Sequence, residues 1–389
     1  MTAYISLGSN LGDRRNNIQK ALEMLGQTAG ISLSRVSDII ETDPLGDPDQ
    51  PKYLNAAAEL KTTLTAHGLF EILCGIESAL GRRRTQKTEH RRQETEDRRQ
   101  KTELRTQNSK LKTPLPRMID LDLLLFGSEI VDLPDLKVPH PQMHLRSFVL
   151  EPLCHLNPDL AHPALKVCVR ELAQRLNGWD FVLDVNRPQL VSVAGNIGVG
   201  KTTLAKKISE LLGCPLILEP YDTNPFMPAV YAGKKELALD SQLYFLLHRV
   251  DQLNKEVLPA GQPVVSDYVF NKELIYADRL LDRQQLSMYK KVYRHVAGQI
   301  VQPVLVIYLV DLAENCLKRI HGRNRPYEQA IELKFLEAIG NDYERMFANW
   351  QICPVIRLAT PQIDYGEPSC IQHLMDQVKY YIATASCQS

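Results

Sequence analysis

The residues with the most specific chemistry occupy positions 195–203, which read GNIGVGKTT. Glycines in such a loop let successive backbone N–H groups point at a polyphosphate, and the helix that begins there directs its positive end toward the same anion. Lys201 is placed to reach the β- and γ-phosphate oxygens, and the Thr202 hydroxyl can hold Mg²⁺. An apolar run precedes the loop and a helical pattern follows it. We therefore predict an ATP site formed by Gly195, Asn196, Gly198, Gly200, Lys201, Thr202 and Thr203.

A pair of carboxylates forms a second candidate site. In the segment MIDLDLLLF, a β-strand would place Asp120 and Asp122 on one face and the apolar residues around them on the other. Two adjacent carboxylates repel each other unless a cation lies between them, and Mg²⁺ prefers carboxylate and phosphate oxygens. A solvated strand face is the alternative. The later residues His140, Arg146 and Phe148 favour a site for magnesium and phosphate.

A loop upstream of this pair is followed by groups suited to a flat heterocycle. Turn residues dominate the stretch 43–51, which lies between a strand predicted at 36–42 and another beginning at Tyr53. Tyr53 offers an aromatic face, and Asn55 offers an amide. The other elements predicted to hold these groups are a strand at 3–7, a helix whose buried face carries Ile18, Leu22 and Leu25, and a helix over 66–80.

In the C-terminal half, polar residues follow the ends of predicted parallel strands. Glu219 and Asp267 each follow a short apolar run, and the carboxyl ends of parallel strands face the ligand in such sheets. A helix between them places Gln242, Phe245 and Arg249 on one face. A later segment, RIHGRNRPYE, predicts a lid on a mobile loop that clamps phosphates. Its arginines are Arg319, Arg323 and Arg325. A helix cap or surface charge is the alternative for Glu219, and a solvated basic turn for the arginines.

Composition indicates a multidomain protein. The 389 residues suffice for two to three domains, and 44% apolar content supplies ordinary cores. Forty-six basic residues balance 46 acidic ones, so no overall field favours nucleic acid or a membrane surface. The eight cysteines lack metal-binding spacing, and neither a signal peptide nor a membrane-spanning stretch is indicated. We expect a cytoplasmic protein with reduced thiols.

A low-complexity segment interrupts the N-terminal half at 85–113. The tripeptide Arg-Arg-Gln recurs there at a spacing of seven residues, but the apolar positions of a coiled coil are missing. Residues 82–112 contain twelve basic and five acidic side chains, a net charge of +7. We expect a solvated, mostly disordered insertion, and a basic arm for RNA or an acidic partner is the alternative.

Residues 2–165 resemble 6-hydroxymethyl-7,8-dihydropterin pyrophosphokinase of folate biosynthesis. The motifs are GSNLGD, TDPLG with QPKYLNAA, GR-x-R, PRMIDLDLLLFG, and VPHPQM with R-x-F. The resemblance implies a ferredoxin-like α+β sandwich in which Asp120 and Asp122 bind two Mg²⁺ between ATP and the pterin hydroxymethyl oxygen. Positions matching contacts with ATP or its phosphates are Glu77, Arg82, Arg84, Arg117, His140 and Arg146. Positions matching the pterin pocket, where two rings sandwich the substrate, are Thr42, Leu45, Tyr53, Asn55 and Phe148.

This chain departs from that family in one loop. The family has a short mobile loop whose aromatic residue closes over both substrates. Here the insertion takes its place and ends in Leu115, Pro116 and Arg117, without an aromatic.

Residues 189–360 resemble the deoxyadenosine, deoxyguanosine and deoxycytidine kinases. The motifs are GNIGVGKTTL, EP with NPF and Y, D-x-Q-x-Y-F with R, and R-x-x-x-R-x-R-P-Y-E. The resemblance implies an α/β P-loop kinase with a parallel sheet, in which Glu219 takes the proton of a 5′-hydroxyl and the three arginines act on phosphates. The remaining substrate-binding positions are Gln242 at the nucleobase, Tyr231 and Glu328 at the 3′-hydroxyl, and Arg249.

The kinase motif that follows the third strand is incomplete. The family commonly carries Asp/Glu-Arg-Ser there, whereas Tyr268 and Val269 follow Asp267 in this chain. Asp267 can still serve Mg²⁺ through water. The arginine that steadies the 5′-oxygen is absent, unless Arg249 or Lys272 replaces it.

Together these patterns predict a bifunctional enzyme that uses ATP and Mg²⁺. Its predicted parts are a pyrophosphokinase domain at 1–165, a linker at 166–188, a kinase domain at 189–380 and a tail at 381–389. The expected partners are hydroxymethyldihydropterin, deoxynucleosides and a second copy bound through the kinase domain, with neither nucleic acid nor membrane. Two alternatives stay open for the kinase half: a non-catalytic nucleotide-binding regulatory module, or a monophosphate kinase, which would need another arginine near Glu219.

Overall fold

The computed structural model describes residues 1–46, 48–81, 116–221, 223–362 and 367–383. The predicted insertion at 85–113 lies outside these ranges. The chain forms two compact units, Met1–Gln174 and Arg175–Ser389. Across the described ranges, no helix combines the length and apolar character that spanning a bilayer requires.

The first unit is built on an antiparallel sheet. Its strands are ordered β2-β4-β1-β5, with β3 paired to β4, and β6 and β7 form a separate hairpin. In chain order the elements are β1 (Thr2–Ser9), α1 (Arg14–Gln27), β2 (Ile31–Val36), β3 (Ile40–Thr42), β4 (Tyr53–Thr62), α2 (Ala66–Ala79), β5 (Asp120–Phe126), β6 (Val131–Asp132), β7 (Lys137–Val138) and α3 (Ser147–Leu156). The next helix, α4 (Val169–Leu176), contains the boundary between the units.

Strand register brings the N-terminal candidate residues together. Gly8 on β1 lies opposite Asn55 on β4 and opposite Asp120 on β5. On the helix side, Ile18 and Leu25 of α1 are fully buried, and Ala21 rather than Leu22 completes the buried stripe. Burial of such a stripe stabilises the sheet that carries the site.

The strand predicted at 36–42 is broken in the structure. β2 ends at Val36 and β3 begins at Ile40. The Ser37 backbone N–H donates to the Ala57 carbonyl in the usual way. The Ala57 backbone N–H, however, donates to the Ser37 hydroxyl at 2.9 Å. Because a side chain thus replaces the backbone acceptor, the ladder is interrupted at this point.

The second unit is built on a parallel sheet of order β12-β11-β8-β10-β9. In chain order the elements are β8 (Gln189–Gly195), α5 (Lys201–Leu212), β9 (Leu216–Ile217), α6 (Met227–Tyr231), α7 (Ala238–Gln252), β10 (Pro263–Ser266), α8 (Lys272–Leu280), α9 (Arg283–Val296), β11 (Leu305–Val310), α10 (Ala313–Arg323), α11 (Leu333–Ala348), β12 (Val355–Ala359) and α12 (Pro368–Tyr381).

The strand order places the phosphate loop at the centre of this sheet. β8 is buried along its whole length and pairs with β10 on one side and β11 on the other. Continuous burial is typical of parallel strands covered on both faces. The loop after β8 therefore leaves the sheet at the point where the strand order reverses, between β10 on one side and β11 on the other, which is where α/β proteins bind ligands. The predicted fold classes are confirmed: an antiparallel α+β unit, then a parallel P-loop α/β unit.

Candidate active sites

The two aspartates of β5 face one cavity of about 170 Å³ in the first unit. Asp120 and Asp122 are 22% and 31% exposed, so both carboxylates reach solvent and remain accessible to a cation. Gly8 forms part of the floor, and a Cβ there would lie 3.0 Å from the Asn55 Oδ1 atom. Glycine therefore keeps space open between the strands that carry Asn55 and Asp120.

Basic side chains flank this carboxylate pair. Arg117 donates a hydrogen bond to Asp120 at 2.5 Å, and the Arg146 guanidinium lies 3.9 Å from the Asp122 carboxylate. Gln142 accepts from Arg146 at 2.7 Å and orients it. His140 also lines the cavity, and burial, opposed by the Asp122 carboxylate, lowers its pKa. The arrangement can neutralise and align a polyphosphate.

The phosphate loop of the second unit has the predicted geometry. Gly195 and Gly198 adopt φ of +140° and +77°, and Cβ atoms there would lie within 2.6 Å of backbone carbonyl oxygens on neighbouring elements. Only glycine fits such positions. Lys201 is buried and donates to the Asn196 carbonyl at 2.8 Å. Burial lowers the pKa of Lys201 to about 8.

Three polar residues meet at the end of this loop. The Thr202 hydroxyl donates to Asp267 at 2.6 Å, and the Glu219 backbone N–H donates to the other Asp267 oxygen at 2.8 Å. Asp267 is thereby fixed between the phosphate loop and the strand end that carries Glu219. These contacts unite residues 65 and 48 positions apart in the chain.

The Glu219 carboxylate is buried, and its two oxygens differ in their contacts. Its side chain is 1% exposed, and its Oε1 atom contacts both Arg249 and Lys272. The Oε2 atom is buried and has no hydrogen-bond partner within the described parts of the chain. One carboxylate oxygen is thus held while the other is free to accept a proton.

Comparison with known proteins assigns the two units. Residues 4–158 match the family model of 7,8-dihydro-6-hydroxymethylpterin-pyrophosphokinase, and residues 191–383 match that of deoxynucleoside kinase. The first half is 40% identical over 154 residues to the 2-amino-4-hydroxy-6-hydroxymethyldihydropteridine pyrophosphokinase of Bacillus subtilis, covering 40% of this chain and 77% of that enzyme. It is 38% identical over 182 residues to its Pseudomonas aeruginosa counterpart, covering 45% and 96% respectively.

The second half is 37% identical over 163 residues to the deoxyguanosine kinase of Bacillus subtilis, covering 41% of this chain and 79% of that enzyme. The chain belongs to both families. It joins a pyrophosphokinase half to a deoxynucleoside kinase half, and both families are phosphotransferases.

In the pyrophosphokinase half, the residues predicted for the pterin share the cavity with the carboxylates. Asn55 donates to the Thr42 hydroxyl at 2.8 Å, which fixes its amide. Burial raises the pKa of Tyr53, so this ring stays a neutral phenol. The structure brings together Thr42, Leu45, Tyr53, Asn55, Arg117, Asp120, Asp122, His140, Arg146 and Phe148. Arg82 and Arg84, also predicted here, lie outside the described residues.

Glu77 is buried behind the strand that carries the two aspartates. It was expected to contact ATP, but the structure buries it completely and leaves it outside the cavity lining. Its carboxylate accepts the backbone N–H of Leu121 at 2.8 Å. Leu121 separates the two aspartates, so Glu77 supports the strand on which both are carried. A buried carboxylate needs such a donor.

A polar clamp that sequence reasoning missed holds Arg117. Asn10 accepts the Arg117 backbone N–H at 2.7 Å, and its own N–H donates to the Arg117 carbonyl at 3.1 Å. Ser9 and Asn17 donate to the Met118 carbonyl at 2.5 and 3.0 Å. The clamp residues are buried, and the GSNLGD motif was the available signal for Ser9 and Asn10.

In the kinase half, the predicted substrate residues line one small cavity of about 40 Å³. Gln242 and Arg249 come from one face of α7, as predicted, and aromatic rings from Tyr221, Phe245 and Tyr276 narrow the space. An amide together with aromatic rings is a set of groups that recognises a flat base. The predicted residues gathered there are Glu219, Tyr231, Gln242, Arg249 and Glu328.

The predicted arginine lid is largely helical. Arg319 and Arg323 lie within α10, and only Arg325 lies beyond its end. Arg319 pairs with Asp311 and donates to the Gly198 carbonyl of the phosphate loop at 3.3 Å. The expectation of a mobile loop was wrong for the first two arginines, because the apolar residues Cys316 and Ile320 of the same segment are buried at helical spacing.

The other two arginines connect this helix end to the substrate cavity. Arg323 donates two hydrogen bonds of 2.6 Å to Glu328, and Arg325 lies 3.7 Å from the same carboxylate. Glu328 lines the substrate cavity. Groups predicted for the phosphates and for the deoxyribose are therefore in direct contact.

The donor sets at both sites fit Mg²⁺. Asp120 and Asp122 supply two accessible carboxylates and leave the other positions to phosphate and water, which is how Mg²⁺ is usually held. In the kinase half, the Thr202 hydroxyl oxygen and Asp267, acting through water, form the corresponding set.

Proposed function

We propose that the pyrophosphokinase half transfers the diphosphate of ATP to the hydroxymethyl oxygen of 6-hydroxymethyl-7,8-dihydropterin, a step of folate biosynthesis. The observation that carries this proposal is the single cavity shared by the carboxylate pair, the rings of Tyr53 and Phe148, and the fixed amide of Asn55. Stacking surfaces and an amide recognise a flat heterocycle.

The residues of this half then perform distinct tasks. Arg117 and Arg146 offset charge on the transferring diphosphate. Bound Mg²⁺, held by Asp120 and Asp122, would supply electrostatic stabilisation and alignment of the phosphate oxygens. The protein performs no covalent step, so positioning accounts for catalysis.

We propose that the kinase half transfers the γ-phosphate of ATP to the 5′-hydroxyl of a deoxynucleoside. The observation that supports this proposal is the free Oε2 atom of Glu219 in the substrate cavity. This oxygen accepts the hydroxyl proton while the 5′-oxygen forms its bond to phosphorus and the bond to ADP breaks. Gln242 binds the base, and Tyr231 and Glu328 bind the 3′-hydroxyl.

A non-catalytic nucleotide-binding module is the main competing function for this half. Such a module needs no buried general base, so the half-engaged Glu219 favours catalysis. A monophosphate kinase needs an arginine for the acceptor phosphate. Arg249 is close enough to Glu219, but its two terminal nitrogens already bind Glu219 and Glu273.

A product assay tests both proposals. The full-length protein is incubated with γ-labelled or β-labelled ATP, Mg²⁺ and, separately, hydroxymethyldihydropterin, each of the four deoxynucleosides, or each of the four deoxynucleoside monophosphates. We expect AMP and the pterin diphosphate in the first case, and ADP with a deoxynucleoside monophosphate in at least one other. Nucleoside binding without product would favour the regulatory module. Product from a deoxynucleoside monophosphate alone would favour the monophosphate kinase.

We further propose a cytoplasmic homodimer that assembles through the kinase half, with the pyrophosphokinase domain ending near residue 165 and the kinase domain beginning near 189. The usual dimeric state of the kinase family supports the assembly. Light scattering of the full chain and of residues 1–165 tests it: the full chain should be dimeric and the fragment monomeric. A monomeric full chain would contradict the proposal.

A further inference from the structure

Lys272 is a buried lysine inside the kinase cavity. It is the first residue of α8, five positions after Asp267, and it is 2% exposed. Burying a lysine is costly unless its nitrogen finds a partner. A lysine in this position therefore indicates that its nitrogen performs a task there.

The contacts of Lys272 converge on the proposed base. Its Nζ atom contacts Glu219 Oε1 and lies 5.7 and 5.3 Å from the ring centroids of Tyr221 and Tyr276. The two rings restrict the lysine side chain to this direction. Burial and the nearby Arg249 lower the pKa of Lys272. The contact requires only an N–H donor, and both protonation states supply one.

The neighbouring arginine has another partner. Arg249 shares Glu219 Oε1 with Lys272, but it also pairs with Glu273, whose second oxygen accepts the Tyr289 hydroxyl. Arg249 is thus held by a second carboxylate. In contrast, the carboxylate that Lys272 contacts most closely is Glu219 itself.

The residue at the position of the family's missing arginine does not reach Glu219. Tyr268 is fully buried, lies 5.5 Å below the Arg249 guanidinium and donates its hydroxyl to Gln252 at 2.8 Å. It packs in the apolar core of this unit. A donor for the base must come from elsewhere in the chain.

We propose that Lys272 is the positioning residue of Glu219: it holds the Oε1 atom and so directs the free Oε2 atom at the substrate hydroxyl. This inference rests on the proposed kinase function. It predicts that Lys272 acts on turnover through Glu219 and contributes little to nucleoside binding.

Steady-state kinetics of Lys272→Met and Lys272→Arg test the proposal. Methionine keeps the length and apolar stem but removes the donor, so kcat should fall roughly 100-fold while KM for the deoxynucleoside stays within about threefold. Arginine restores a donor, so kcat of Lys272→Arg should be at least about tenfold higher than that of Lys272→Met. Lys290→Met is the control, since Lys290 makes a surface ion pair with Asp278, and it should match the wild type.

A kcat within about threefold of wild type in Lys272→Met would overturn the proposal. If Lys272→Met does not fold, Lys272→Arg decides: near-native turnover supports the role, and a folded Lys272→Arg as inactive as Glu219→Gln overturns it. A second measurement is independent of turnover. Unfolding midpoints of Lys272→Met, Glu219→Gln and the double variant should be subadditive, whereas additive shifts would overturn the contact.

Failure of the underlying kinase function gives a different pattern. A wild-type protein that phosphorylates no deoxynucleoside contradicts the proposed function. The same unfolding midpoints then decide the Lys272–Glu219 link: subadditivity supports it, and additivity overturns it.

Discussion

At the scale of single residues, burial separates the carboxylates that suit a metal from the one that suits a proton. Asp120 and Asp122 are 22% and 31% exposed, so water and phosphate can complete a Mg²⁺ shell around them. Glu219 is 1% exposed and has one oxygen held by basic groups. A carboxylate in that setting has a fixed orientation and can accept a proton from a bound hydroxyl.

Replacing Glu219 by glutamine should abolish this role while keeping the size of the side chain. We expect kcat for deoxynucleoside phosphorylation to fall roughly 10²- to 10⁴-fold, with nucleoside affinity by calorimetry changed by less than about tenfold. Glu236→Gln, at an exposed position, is the control. Near-normal turnover of Glu219→Gln would remove Glu219 from the mechanism.

Replacing Asn10 should affect the pyrophosphokinase half. Asn10→Ala leaves the partly buried N–H of Arg117 without its acceptor, which costs about 1 kcal/mol of stability. Because Arg117 contacts Asp120, pyrophosphokinase turnover should fall while kinase turnover stays constant. Asn16→Ala, at an exposed position of α1, supplies the comparison. Equal melting temperatures and equal pyrophosphokinase rates for the two variants would show that the clamp is dispensable.

At the scale of elements, the sequence predicted a strand or loop correctly where apolar residues or glycines dominate a short segment. The apolar runs of β8 and β11, and the glycines between β8 and α5, are local features, and the structure contains the corresponding strands and loop. Two predictions were wrong: the unbroken strand at 36–42 and the mobile loop around Arg319. Ser37 breaks the strand through a partner 20 positions away. The polar arginines around Arg319 concealed a helical stripe of buried residues.

The 85–113 insertion provides a test at this scale. Since the segment has almost no apolar residues to bury, its excision should leave the unfolding midpoint and kinase activity unchanged. The polar clamp of Ser9, Asn10 and Asn17 binds Arg117 and Met118, which follow the insertion, and these contacts do not involve the excised residues. Amide exchange of the intact protein adds a second readout. Strong protection of these amides, or a lowered midpoint after excision, would contradict the expectation of a solvated segment.

At the scale of the whole molecule, motifs predicted which residues meet but not how they are held. The pterin-pocket and carboxylate residues share a cavity as expected, since each belongs to a recognisable motif. Asn10 and Asp311 were not assigned supporting roles, and Lys272 was considered only as a replacement for the missing arginine. The contacts of Asn10 and Asp311 join residues that are distant in sequence or depend on helix orientation, and the motifs did not specify these partners.

The central claim is that one chain carries two independent active sites, and paired variants test it directly. Asp122→Asn removes one charge from the carboxylate pair and should lower pterin pyrophosphorylation at least about 100-fold, with deoxynucleoside phosphorylation unchanged. Lys201→Ala removes the cation of the phosphate loop and should do the reverse.

Both reactions are assayed on both variants, with melting temperatures confirming that each is folded. The account predicts one lost and one retained activity in each variant. A folded Lys201→Ala variant whose pyrophosphokinase turnover falls more than a few-fold, or an Asp122→Asn variant that loses kinase turnover, would contradict it.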